Sequence, residues 1–302
     1  MSKVLISGGT GSVGRLLSEF LTEEGHEVSL LSRNPGSNDK YSTFLWNPSE
    51  SFLDPKALEG CEYIIHLAGA GIADKNWTSQ RKKDIIESRV QSTDLLFNSV
   101  KKLQVPLKAF ISASAVGYYG QINSTRIFKE EDQSANDFVG KTCFLWEQAA
   151  QRFEELKVRT VRIRIGIVLM KQGGALEKMA KPIRLGFGGV LGSGEQYIPW
   201  IHSTDLIRIF GKALANTDMH GAFNAVAPSF NTNKDFTLKL AKVLGKKIWL
   251  PPVPSFVLKG ILGERALLLL KGSRVSSEKL IESGYQFEHL ELEEALHDLL
   301  AG

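Results

Sequence analysis

The feature that most constrains this chain is the run Gly8-Gly9-Thr10-Gly11-Ser12-Val13-Gly14. It follows the short apolar stretch Val4-Leu5-Ile6 and precedes Leu16, Leu17, Phe20 and Leu21, which recur at helical spacing. An apolar strand, a glycine turn and an amphipathic helix, in that order, make the opening unit of a doubly wound α/β fold. The glycines fit Gly-x-Gly-x-x-Gly through Gly9, Gly11 and Gly14, and Gly-x-x-Gly-x-x-Gly through Gly8, Gly11 and Gly14. One such residue permits the tight turn, one lets backbone approach a pyrophosphate, and the last lets helix and strand pack closely. Free N–H groups at the positive end of the helix then face the phosphates. Any glycine turn can imitate the motif; its place between strand and helix gives it weight. Gly8, Thr10, Gly11, Ser12, Val13 and Gly14 are therefore the expected pyrophosphate contacts.

Strand and helix patterns alternate beyond this unit. Val28–Leu31, Tyr63–Leu67, Ala109–Ala113 and Val158–Ile165 read as strands, with helices over Ser79–Lys102 and Thr142–Glu155 between them. Strands separated by helices imply βαβ units and a mostly parallel sheet. The pattern loosens after Ile165, where Gly186–Gly194 is glycine-rich and Leu258–Leu270 and Leu290–Leu300 look helical. The expected architecture is an α/β Rossmann doubly wound parallel sheet with a smaller C-terminal α/β lobe on the substrate side. Residues 1–165 form the nucleotide-binding domain and 166–302 mainly the lobe, with some segments returning to the sheet.

The second strand ends in Ser32-Arg33, about 20 residues past the glycines, where an NAD-specific site usually places an acid. A carboxylate there would bond the ribose 2′-hydroxyl and repel a 2′-phosphate. A hydroxyl beside a guanidinium does the reverse, because Arg pairs with phosphate through forked, charged hydrogen bonds. NADP(H) is thus the expected cofactor, the plainer reading of Arg33 being a solvated loop residue. Leu67-Ala68-Gly69 leaves its strand with little side chain and should let backbone lie against the adenosine half; an ordinary glycine turn explains the same residues.

Composition narrows the partners. Of the 302 residues 43% are hydrophobic and 23% charged, as in an ordinary globular protein. The formal charge of +4 comes without a dense basic stripe, which speaks against nucleic acid. Two isolated cysteines, Cys61 and Cys143, give neither a disulfide framework nor metal-ligand spacing, so no metal is expected. The apolar stretch Leu258–Leu270 carries Lys259, Glu264 and Arg265 and is too short and charged to span a bilayer. With no signal-peptide layout at Met1-Ser2-Lys3, a cytoplasmic location is expected, with no membrane partner.

With these residues in hand, the chain resembles the extended short-chain dehydrogenase/reductase superfamily, and within it the NAD-dependent epimerase/dehydratase-like proteins of family 39U. The likeness runs along essentially the whole chain. It rests on Gly8–Gly14, Ser32-Arg33, Leu67-Ala68-Gly69, Glu87-Ser88-Arg89, Gly117-Tyr118-Tyr119-Gly120 and Trp146-Glu147. It continues through Gly173–Leu176, Leu185–Gly194, Trp200-Ile201-His202 with Asp205, and Phe223–Pro228. The resemblance implies that Ser32, Arg33, Leu67, Ala68 and Arg89 contact the nucleotide and that Arg164 lies near cofactor or substrate. For Arg89 and Arg164 a structural salt bridge is the competing reading. The resemblance also implies an oxidoreductase or epimerase acting on a carbonyl or alcohol, and a homodimer through the two long helices.

The superfamily usually carries Tyr-x-x-x-Lys, in which a Lys one helical turn away lowers the phenol's pKa. None of the six tyrosines here has a Lys four residues later. In the register that Glu147 allows, Val139 stands at the tyrosine position and Cys143 at the lysine position. What remains is Ser112–Gly120, in which Ser114 matches the superfamily's substrate-binding Ser and Tyr118 or Tyr119 could supply a proton; capping of a turn explains the same hydroxyls. Cys143 reads as packing. Before the helix that follows Trp200–His202, Ser203 or Thr204 reads as the N-cap with Asp205 in the first turn. The run Gly186–Gly194 reads either as a lid or as a flexible hairpin. Two functions follow: an NADP-dependent oxidoreductase or epimerase, or an NADP(H) sensor that has lost catalysis.

Overall fold

The computed structural model describes residues 1–36 and 40–300. The chain begins with β1 (Lys3–Ser7), α1 (Ser12–Glu23), β2 (Glu27–Ser32), β3 (Ser42–Asn47), β4 (Phe52–Leu53), β5 (Tyr63–His66) and the long α2 (Ser79–Leu103). It continues through β6 (Ala109–Ala115), β7 (Asn123–Phe128), α3 (Phe138–Gln151) and β8 (Arg159–Ile165). Then come β9 (Ile167–Leu169), α4 (Gly174–Arg184), β10 (Trp200–His202), α5 (Ser203–Ala215), β11 (Gly221–Ala225) and α6 (Asn233–Val243). The last elements are α7 (Ser255–Leu262), α8 (Leu267–Leu270), β12 (Gly272–Val275), α9 (Glu278–Glu282) and α10 (Leu292–Leu300).

Eight strands make one sheet in the order β11-β8-β6-β5-β1-β2-β3-β4, parallel throughout except for the β3–β4 pair. From β1 the chain moves outward through β2 and β3, then returns to β5 on the other side of β1 and moves outward again. Strand order therefore reverses between β1 and β5, and a doubly wound sheet opens a crevice at the carboxyl ends of strands at such a point. The pattern along the inner strands explains the layers. Val4, Ile6, Ile65 and Ile111 point to one face, where they pack with Leu17 and Leu21 of α1 and Leu206 and Phe210 of α5. Leu5, Ile64 and Phe110 point to the other, toward Leu96 and Phe97 of α2 and Phe153. Each fully buried side chain of this size contributes about 1.5–3 kcal/mol.

Local signals set the helix boundaries. Thr78 caps α2 by accepting from the Arg81 N–H at 3.1 Å, and Asp137 caps α3 by accepting from the Gly140 N–H at 2.8 Å. The latter starts the helix at Phe138, four residues before the start expected from the apolar spacing. The stretch Leu258–Leu270 is not one helix: Gly263, at φ 58°, breaks it between α7 and α8.

Beyond Ile165 the chain divides its residues between two bodies. β11 pairs with β8, and α5 packs on α1 so closely that a Cβ on Gly211 would stand 2.6 Å from the Phe20 ring. α4, α6 and α10 instead build a separate core around Leu176, Trp200, Phe236 and Leu296. The run Gly186–Gly194 is neither a lid nor a free hairpin. Val190 O accepts from Val253 N at 2.7 Å, Gly192 N donates to Val253 O at 2.9 Å, and the Trp249 indole donates to Gly186 O at 3.1 Å. The cap of α5 also differs from expectation. His202 caps it, its Nδ1 accepting from the Thr204 N–H at 3.1 Å. Asp205, fully buried, instead accepts from the Tyr285 hydroxyl and from the N–H groups of Glu288 and His289, and so ties the C-terminal segment to the sheet domain. Among the described residues no helix is long and apolar enough to cross a membrane.

Candidate functional site

The crevice at the reversal of strand order is a cavity of about 780 Å³. Gly8, Thr10 and Gly11 form its floor, and Ser32, Arg33 and Asn34 its wall at the end of β2. Trp46 and Asn47 end β3, Pro48 and Ser49 follow it, and Leu67–Ala70 follow β5. The remaining wall is one polar face of α2, with Arg81, Asp84, Glu87, Ser88, Gln91 and Ser92.

The geometry suits a dinucleotide. Gly8 adopts φ +74°, and a Cβ there would lie 2.9 Å from backbone atoms of both Leu67 and Ala68. A Cβ on Gly14 would lie 2.3 Å from the carbonyl oxygen of Gly8 and 2.6 Å from the Cα of Gly9. Side chains are thus excluded where turn, strand and helix converge. The first turn of α1 has no capping side chain and no acid. Its leading N–H groups, which lack intrahelical partners, stay available to an anion. Among the described residues, the wall formed by the end of β2 and the stretch after β3 carries no carboxylate, and the exposed Arg33 guanidinium has no protein partner.

Of the residues expected to contact a nucleotide, Gly8, Thr10, Gly11, Ser32, Arg33, Leu67, Ala68 and Gly69 line this cavity. Ser12, Val13 and Gly14 lie next to it in the first turn of α1. Arg89 stands behind the wall: its guanidinium donates to Ala70 O at 3.0 Å and Ile85 O at 2.9 Å, over the Trp146 ring. It supports the Leu67–Ala70 loop from beneath. Arg164 does not line the cavity. Only 3% of its side chain is exposed, and its guanidinium forms a forked pair with Glu147 at 2.8 and 2.9 Å. Its Nη1 donates to the Tyr119 hydroxyl at 2.9 Å and to Glu130 O at 3.1 Å. Arg164 thus makes a buried ion pair at the end of β8, beside Ser114 and Tyr118.

The same ion pair organises the expected catalytic residues. Ser114, at the end of β6, donates to Glu147 Oε1 at 2.7 Å. Tyr119 donates to Asn224 Oδ1 at 2.7 Å, and burial holds its phenol well above the ordinary tyrosine range. Tyr118 lays its ring against the Arg164 guanidinium, 3.5 Å from ring centre to the central carbon. None of the three lines the large cavity. At the superfamily's tyrosine and lysine positions, Val139 packs against Gly117, and burial pushes the Cys143 thiol up to about 12, which makes it a poor nucleophile.

Sequence reasoning missed the α2 face, although its Ser88-x-x-x-Ser92 spacing places two hydroxyls on one side. It also missed His66, the imidazole that ends β5 after Ile64 and Ile65. A third cluster lies elsewhere: His202, His289 and Asp298 bring three ligand atoms within 4.8 Å of one another. The two rings stack with centroids 3.7 Å apart, however, so their in-plane lone pairs do not converge on one point. His202 Nδ1 already accepts a backbone N–H, which leaves the proton on Nε2. This is a stacked imidazole pair beside a carboxylate.

Comparison with known proteins agrees with this picture. The profile of the NAD dependent epimerase/dehydratase family matches residues 4–225, and that of a domain of unknown function (DUF1731) matches residues 253–299. Epimerase family protein SDR39U1 of Mus musculus is 38% identical over 303 residues, covering 99% of this chain and all of the relative. Epimerase family protein YfhF of Bacillus subtilis is 36% identical, covering 99% of this chain and 98% of the relative. The crystal structure of the human SDR39U1 protein (isoform 2), solved with NADPH, matches 99% of both chains with a TM-score of 0.89 at 35% identity.

Proposed function

The chain belongs to the NAD dependent epimerase/dehydratase family, and from that premise we propose that it binds NADP(H) in the cavity at the β1/β5 reversal and serves as an oxidoreductase or epimerase on a carbonyl or alcohol substrate. The observation that carries the cofactor choice is the end of β2. Among the described residues, Ser32 and Arg33 line the cavity there, the guanidinium has no protein partner, and the wall formed by β2 and the residues after β3 carries no carboxylate. The similar human protein solved with NADPH supports the same choice.

In this reading Gly8, Thr10 and Gly11, with the first turn of α1, hold the pyrophosphate. Ser32 and Arg33 bond the 2′-phosphate, and Leu67–Gly69 lie along the adenosine. The bound nicotinamide supplies the hydride acceptor or donor. The chain's own part is orientation, exclusion of water and delivery of a proton. Tyr118 is the best-placed donor: it leaves β6 beside Ser114, and Arg164 fixes its ring while its hydroxyl bonds no described residue. Ser114 and Tyr119 hold that support in place. The lobe of α4, α6 and α10 forms the substrate side.

A second reading has its own observation. Ser114 and Tyr119 both spend their protons on protein acceptors, and no Tyr–Lys pair exists, as in a protein that senses NADP(H) without turnover. Steady-state oxidation of NADPH with a panel of carbonyl compounds separates the two. The enzyme reading expects turnover that Tyr118→Phe lowers by about a hundredfold at unchanged NADPH affinity. Tight NADPH binding with no turnover on any carbonyl would instead support the sensor.

A further inference from the structure

His66 ends β5 one residue before the Leu67–Gly69 loop, with none of its surface exposed. Its Nδ1 lies 2.5 Å from Ser7 Oγ, and its Nε2 lies 3.1 Å from Ser92 Oγ. Ser7 is the last residue of β1, directly before the glycine turn, and Ser92 belongs to the α2 face that lines the cavity. One imidazole thus spans the floor and the far wall of the site.

The proton positions follow from counting donors. Ser92 has a single hydroxyl proton, and it points to the helix carbonyls of Ser88 at 2.7 Å and Arg89 at 3.0 Å. Toward His66 the Ser92 oxygen is therefore an acceptor, so Nε2 carries the ring proton. In the neutral ring Nδ1 is then bare and accepts from the Ser7 hydroxyl. Protonation would place a second charge in a sealed site near Arg89, and burial first, then that cation, pull the imidazole down to about 3.

The neighbouring contacts show what this bridge holds. Leu67 N donates to Ser7 O at 3.0 Å, and Gly8 packs on the Leu67–Ala68 backbone. One helical turn before Ser92, Ser88 Oγ accepts from Ala70 N at 3.0 Å, and Arg89 donates to Ala70 O. Ser88, Arg89 and Ser92 therefore grip residues 66–70 at both ends. His66 adds a side-chain link from that grip to Ser7, beside the direct backbone contacts of Leu67 and Ala68 with Ser7 and Gly8.

We propose that His66 is a positioning residue for the adenosine-phosphate half of the dinucleotide, a bridge from Ser7 to Ser92 that sets the glycine turn against the α2 wall. This rests on the NADP(H) reading above. The probe is 2′,5′-ADP, titrated calorimetrically against the full chain. His66→Phe, which keeps the volume but bonds neither serine, is expected to weaken binding about tenfold, the size of a buried serine left unpaired. His66→Asn restores an acceptor toward Ser7 and is expected to recover most of that loss. Ser7→Ala, with the ring in place, reports the same loss if the Phe variant does not fold. In the parent, long-range ¹H–¹⁵N NMR, with the His66 signal identified by its loss in His66→Phe, should show that ring as the Nε2–H tautomer, unmoved between about pH 5 and pH 8. Folded variants binding 2′,5′-ADP within about twofold of the parent, or a His66 ring that titrates in that range, would overturn the positioning role alone. A parent that binds neither 2′,5′-ADP nor NADPH would overturn the cofactor reading and this role with it.

Discussion

The two ends of the crevice use their polar groups in opposite ways. At the glycine turn, donors are left free: the first turn of α1 has no cap, and Arg33 stands without a partner among the described residues. At the ends of β6 and β8, against α3, the principal polar groups are bonded to one another. Ser114 donates to Glu147, Glu147 pairs with Arg164, Arg164 donates to Tyr119, and Tyr119 donates to Asn224. A free donor in a concave site invites a ligand, whereas a closed network holds the protein together. On the proposed reading, the difference teaches that the glycine-turn side is built to bind a nucleotide and that the side against α3 is built chiefly to be rigid, the Tyr118 hydroxyl being unpaired among the described residues.

The comparison breaks most sharply at Glu147. Glu147→Ala strands the Arg164 cation in a site that is 3% exposed and should cost about 3–5 kcal/mol of stability, read as a lower urea midpoint. A loss below about 1 kcal/mol together with abolished turnover would make the network catalytic instead of structural. Next in size is Gly14→Ala on the open side. Its Cβ would meet the Gly8 carbonyl at 2.3 Å, so backbone must move, at about 1–3 kcal/mol in stability. Nucleotide affinity, measured by fluorescence titration, should fall more than about tenfold. If stability fell without any loss of affinity, the turn would be a packing device and not a cradle.

The contrast also explains how far the sequence could be read. The sheet was legible because Val4-Leu5-Ile6 and its counterparts are apolar runs between glycine turns and helical stripes. The nucleotide side was legible because Gly8–Gly14 and Ser32-Arg33 are contiguous and act through backbone or through an uncommitted side chain. The other side draws Ser114 and Tyr119, Glu147, Arg164 and Asn224 from four separate places in the chain. No local pattern shows that an Arg ending one strand will find a Glu on a helix 17 residues away. The same limit hid the α2 wall and the roles of His202 and Asp205. The short pattern His-Ser-Thr-Asp looks like a cap, yet Asp205 is spent on Tyr285, Glu288 and His289, some 80 residues later.

The central claim is that Arg33 reads a 2′-phosphate, and the direct test is the ratio of NADPH to NADH affinity in the parent and in Arg33→Ala. The account predicts a parent that prefers NADPH by at least about tenfold, and a variant of unchanged stability whose NADPH affinity drops by roughly ten- to a hundredfold while NADH affinity holds. A parent that binds both nucleotides alike, or a variant whose preference is unaltered, would contradict it.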